Sequence, residues 1–86
     1  GTIENAYTIS NGEYEVIEAE IIETSELINK EIKNANLPDD IRIGAVLRDK
    51  KVIIPRSDFV FQKDDNVVFI AKNDSIPAVE NIFRLS

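Results

Sequence analysis

Arg42, Arg48 and Arg56 lie close together in the sequence, with Lys50 and Lys51 between them. A guanidinium presents a planar fork of donors that matches phosphate and carboxylate, so these arginines are the candidate anion-binding residues, suited to a phosphate or a nucleotide. Acidic neighbours offer a plainer reading, exposed ion pairs of little consequence. No cradle of backbone N–H groups is available, because the only glycines are Gly1, Gly12 and Gly44. No dinucleotide-binding or Walker motif is present.

The acids suggest less. Asp39-Asp40 and Asp64-Asp65 are adjacent pairs, but acid catalysis needs one carboxyl in a pocket with a raised pKa. Asp in turns bonds its own backbone, so both pairs read as solvated turn residues. Asp64-Asp65-Asn66 offers too few oxygens for a calcium loop. Glu18 and Glu20 share one strand face, which reads as a wet face more readily than as a divalent-cation site. Ser25, Ser57 and Ser75 sit where caps and turns are expected, and only Lys could activate them. The chain has no Cys and no His, which removes disulfides, thiolate or imidazole metal sites and imidazole-based nucleophilic catalysis. No catalytic residue and no metal ligand is expected.

The chain has 86 residues, a net charge of −6 and a hydrophobic fraction of 43%, which fits one globular domain. The charge is uneven. Residues 1–43 carry ten acids and three bases, whereas residues 44–86 carry six acids and seven bases. A net acidic domain is a poor partner for nucleic acid or an anionic membrane. No run approaches the ~18 apolar residues of a membrane helix, so no direct insertion is expected. The first residue is Gly, and the chain reads as a fragment of a longer protein.

These residues need elements to hold them. Asn11-Gly12 is a hairpin signal, joining Ile3–Ile9 to Tyr14–Ile22; residues 1–13 read as a hairpin arm or a linker. Thr24 or Ser25 caps an expected helix whose stripe is Leu27, Ile28, Ile32 and Ala35, ending at Leu37-Pro38. Ile41 to Leu47 reads as a strand with Ile41, Ile43, Ala45 and Leu47 on one face. Asp49-Lys50-Lys51 turns it into Val52-Ile53-Ile54, which Pro55 stops. Asp58–Phe61 reads as a short bridging strand and Val67–Ala71 as an apolar one. Asn73-Asp74-Ser75 caps a last helix with Ile76, Val79, Ile82 and Phe83 inside. Short turns make antiparallel neighbours, so the fold class is α+β, a mainly antiparallel sheet with two helices. Val52–Ile54 and Val67–Ala71 are apolar on both strand faces, so both faces must be covered, by two straddling helices or by a partner subunit. The small size favours a dimer.

The order of several segments resembles a known family. Asn36-Leu37-Pro38-Asp39-Asp40, Ile43-Gly44-Ala45-Val46-Leu47-Arg48-Asp49, Val52-Ile53-Ile54-Pro55, Asp58, Asp64-Asp65-Asn66-Val67-Val68-Phe69-Ile70 and Val79-Glu80-Asn81-Ile82-Phe83 follow the pattern of TrkA C-terminal domains. These are the second lobe of the regulator of potassium conductance module. One departure stands out: the family turn usually has Gly where this chain has Asp64. The resemblance implies a single catalytically inert domain over residues 1–86, working as a cytoplasmic regulatory module peripheral to the inner face of the membrane. It implies a homodimer that gates a membrane potassium-translocating subunit, with cyclic di-AMP as a ligand in some members. It places any NAD or ATP site in a separate N-terminal lobe, so no cofactor is expected here. The alternative reading is a small-ligand or divalent-cation sensor of an unrelated regulator.

Overall fold

The computed structural model describes residues 3 to 83. Five strands form one antiparallel sheet: β1 (Ile3–Ile9), β2 (Tyr14–Glu20), β3 (Ile41–Arg48), β4 (Lys51–Ile53) and β5 (Asn66–Lys72). Their order is β1-β2-β5-β3-β4. A single α-helix, α1 (Ile76–Phe83), closes the described chain.

The turns follow local chemistry. Asn11 and Gly12 take positive φ of 55° and 88° in the β1–β2 connection, the conformation that Asn-Gly tolerates best. Asp49 and Lys50 take φ of 52° and 66° in the β3–β4 turn. Asp64 takes φ of 72° before β5, so it occupies the left-handed position that glycine fills more easily.

The core lies on one face of the sheet. Ile17 and Ala19 of β2, Val67, Phe69 and Ala71 of β5, and Ile41 and Val46 of β3 are buried there. Val79, Ile82 and Phe83 cover them from α1, with the Phe69 and Phe83 rings stacked at 4.8 Å. Leu27, Ala35 and Phe61 join the same cluster from the connecting segments. The other face carries no such layer: Tyr7 is 65% exposed, Val52 67% and Ile70 41%. Of the two ways to cover both strand faces, straddling helices are therefore absent among the described residues.

The expected first helix does not form. Its place is taken by turns and one 3₁₀ turn at Ile32–Asn34. Asn29 adopts φ of 62°, which breaks a helix, and the backbone bonds outward instead. Asn29 N–H donates to Phe61 O at 2.9 Å, Ile32 N–H to Phe59 O at 3.0 Å and Lys33 N–H to Ser57 O at 3.0 Å. Branched Ile28 and Ile32 and three asparagines are weak helix formers, so pairing with residues 57–61 prevails. That segment is not the short strand expected at Asp58–Phe61; one bridge, Glu31 with Val60, is all the ladder it makes among the described residues. A second correction concerns β3. A bulge between Ile43 and Ala45 shifts the register, so Val46 joins Ile41 and Ile43 toward the core while Ala45 and Leu47 turn away.

Candidate functional site

The groove grows out of a strand-length mismatch. β4 pairs only with Val46, Leu47 and Arg48, leaving the first half of β3 as a free edge. The 3₁₀ turn at Ile32–Asn34 and residues Pro55–Ser57 rise beside that edge, tied together by the Lys33 to Ser57 backbone bond. Between them lies a groove of about 420 Å³. Ile32, Leu37, Ile43 and Pro55 give it apolar walls; Lys33, Arg42 and Arg56 give it positive charge.

Arg42 is held by its neighbours. One terminal nitrogen, Nη1, donates to Asp39 O at 2.8 Å and to Ile41 O at 3.2 Å. Its other donors and the whole Arg56 guanidinium are unengaged among the described residues. The groove thus offers two guanidiniums beside apolar surface, with the Lys33 ammonium already paired to the Glu31 carboxylate at 3.6 Å, a donor set for an anion attached to a flat apolar group.

Arg48 stands apart. Its Nε and Nη2 donate to the two oxygens of Asp65, each at 2.7 Å, and Nη2 also donates to Val60 O at 3.0 Å. Its guanidinium lies 4.8 Å from the Phe59 ring centre. Asp65 is 1% exposed and also accepts from Gln62 N–H at 2.9 Å. The hydrogen bond to Asp65, above all, raises the Arg48 pKa above its usual value; burial opposes this, and the charges of Asp65 and Asp49 add to it. Arg48 is a fastener for residues 59–65 rather than a free donor. Asp65 is likewise no solvated turn residue, and an adjacent pair of aspartates before Asn-Val-Val carries no signal that marks the second as buried.

The remaining residues are placed simply. Asp39, Asp40 and Asp64 are exposed. Glu18 accepts a bond from Asn5 Nδ2 at 3.1 Å. Glu18 and Glu20 lie on the face away from the core, and no three acids among the described residues converge on a point. Ser25 is buried: its hydroxyl donates to Ile82 O at 2.9 Å and accepts from Leu27 N–H at 3.2 Å. It anchors the segment after β2 to the end of α1. The sequence missed the wall residues Lys33 and Leu37, whose roles depend on the helix that does not form.

The TrkA-C domain family matches residues 16–84. The chain belongs to that family. It is 40% identical over its whole length to the Trk system potassium uptake protein TrkA of Azorhizobium caulinodans, covering 19% of that protein. It is 31% identical to the protein of the same name from Haemophilus influenzae, again over its whole length and covering 20% of the relative. The chain therefore spans about a fifth of the length of these relatives. Among solved structures, it is similar to the RCK_C domain dimer of S. agalactiae BusR in complex with c-di-AMP. The TM-score is 0.71 at 24% identity, covering 83% of this chain and 97% of the other. It is also similar to an RCK domain with cda, at a TM-score of 0.65 and 16% identity, covering 79% of this chain and 96% of the other. The TrkA-C domain is a non-catalytic regulatory domain of potassium uptake proteins. No helix among the described residues is long and apolar enough to cross a membrane.

Proposed function

We propose that this TrkA-C domain is the ligand-sensing and dimerisation module of a potassium uptake system. It works in the cytoplasm, at the inner face of the membrane through its parent protein. The parent's separate N-terminal lobe carries any NAD or ATP site. The observation that carries this reading is the groove, which sets Arg42, Arg56 and Lys33 beside Ile32, Leu37, Ile43 and Pro55.

Cyclic di-AMP suits that chemistry. Its phosphates match the guanidiniums and its adenines match the apolar walls. A ligand whose two phosphates are related by its own two-fold axis offers one to each of two copies, so it holds two groove-bearing edges together. Gating then follows from differential affinity: the ligand binds the paired arrangement better, and the shift passes to the membrane subunit. Family membership favours this over a sensor of an unrelated regulator.

Thermal unfolding with and without cyclic di-AMP tests the proposal. A ligand at 100 times its Kd stabilises by about 2.7 kcal/mol, which raises the Tm of a domain this size by roughly 10–20 °C. Arg42→Ala and Arg56→Ala each remove a charge-assisted bond of about 1.5–3 kcal/mol and weaken binding by at least roughly tenfold. No shift with cyclic di-AMP, or an equal shift in both variants, overturns the reading.

A further inference from the structure

The two edges of the sheet are built differently. β4 is three residues long, begins with Lys51 directly after Lys50, and is stopped by Pro55. Short length, lysine and proline are the devices that keep an edge strand from pairing with another chain. β1 has none of them. It is seven residues long, contains no Lys and no Pro, and its one bulge lies at its start, between Ile3 and Asn5. Asn5 to Ile9 pairs regularly with β2, and every residue of β1 is exposed.

The charge pattern says what fits there. β2 carries Glu15, Glu18 and Glu20 in its seven residues, so a bare β2 edge would repel a second copy of itself. β1 covers that edge, with Asn5 bonded to Glu18 at 3.1 Å, and presents a single charge, Glu4. An antiparallel pair of β1 strands centred on Ala6 or Tyr7 sets Glu4 against Thr8 or Ser10 of the second copy, never against its own Glu4. Such a pair is two-fold symmetric and closes on itself.

We propose that β1 pairs antiparallel with β1 of a second copy, joining two sheets into one of ten strands. The contact lies outside the segment that the TrkA-C family matches. It is also on the opposite edge of the sheet from the groove. It therefore forms without ligand and leaves both grooves free, so that a ligand bridging grooves links pairs into larger assemblies.

The chain has no cysteine, so single cysteines report the contact directly. Opposed residues on antiparallel neighbours have Cα atoms about 4.5–5.5 Å apart, within the span of a disulfide. Asn5→Cys, Ala6→Cys, Tyr7→Cys and Thr8→Cys are oxidised without ligand, with Lys33→Cys at the groove as the exposed control. One cysteine at position 6 or 7 cross-links at least tenfold faster than Lys33→Cys, and Ala6→Lys weakens wild-type dimerisation in sedimentation equilibrium at least tenfold. A ligand-free monomer at high micromolar concentration overturns this inference. So does a dimer whose β1 cysteines cross-link no faster than the control. Neither result touches the groove reading, which ligand titration decides separately.

Discussion

Replacing Asp65 by Asn probes the fastener that holds residues 59–65 on the sheet. Asp65 is 1% exposed and accepts three bonds, two from Arg48 at 2.7 Å and one from Gln62 N–H at 2.9 Å. An amide of the same size accepts through one oxygen only and presents an N–H₂ group toward the guanidinium. Removing one partner of a buried ion pair costs about 3–5 kcal/mol. The Arg48 side chain is 25% exposed, so water recovers part of that loss and the expected cost falls to about 2–3 kcal/mol. A domain of 86 residues has a total stability of about 4–13 kcal/mol. The variant thus loses a large share of it, and its Tm falls by roughly 10–20 °C. Urea unfolding is the assay: the midpoint drops while the slope stays constant. Arg48→Lys keeps the charge but loses the fork, and an intermediate loss of about 1–2 kcal/mol is expected. An Asp65→Asn loss below about 0.5 kcal/mol would refute the reasoning, because that is the worth of an exposed pair.

Other outcomes follow from the same structure. Ser25→Ala leaves the Leu27 N–H without its buried partner and the Ile82 carbonyl with only the Glu26 N–H at 3.2 Å, for a loss of about 1–3 kcal/mol in urea unfolding. Asp64→Gly relieves the left-handed backbone at φ 72° and raises stability by up to about 1 kcal/mol, read as a higher urea midpoint. The pH profile is flat near neutrality. The raised group is Arg48, already strongly basic, so its contribution is fully present below its ordinary value and is lost only as pH rises through the still higher value it has in the fold. The chain has no His, so Tm measured between about pH 6 and 8.5 changes by no more than about 2 °C.

The sequence showed the strands well because their signals are local. Asn11-Gly12, the Asp49-Lys50 turn and Pro55 each punctuate the chain through their own backbone preferences, and the last helix carries its stripe in eight residues. The missing first helix was not legible, because its apolar spacing is helical while its backbone donors go to residues 57–61, distant in sequence. The bulge at Gly44 was hidden for a related reason: a strand's alternation looks the same until one extra residue shifts it. The candidate site was half legible. Arg42 and Arg56 meet in one groove, whereas Arg48 is held by Asp65, and nothing in three arginines of similar spacing tells a free guanidinium from a fastened one.

The central claim is that Arg42 and Arg56 hold an anionic ligand at the groove between two copies. Isothermal titration of cyclic di-AMP into the domain tests it most directly. Saturable binding is expected, with one ligand for every two chains, weakened at least roughly a hundredfold when both arginines become Ala. Absence of binding, or equal binding by the doubly substituted chain, contradicts it.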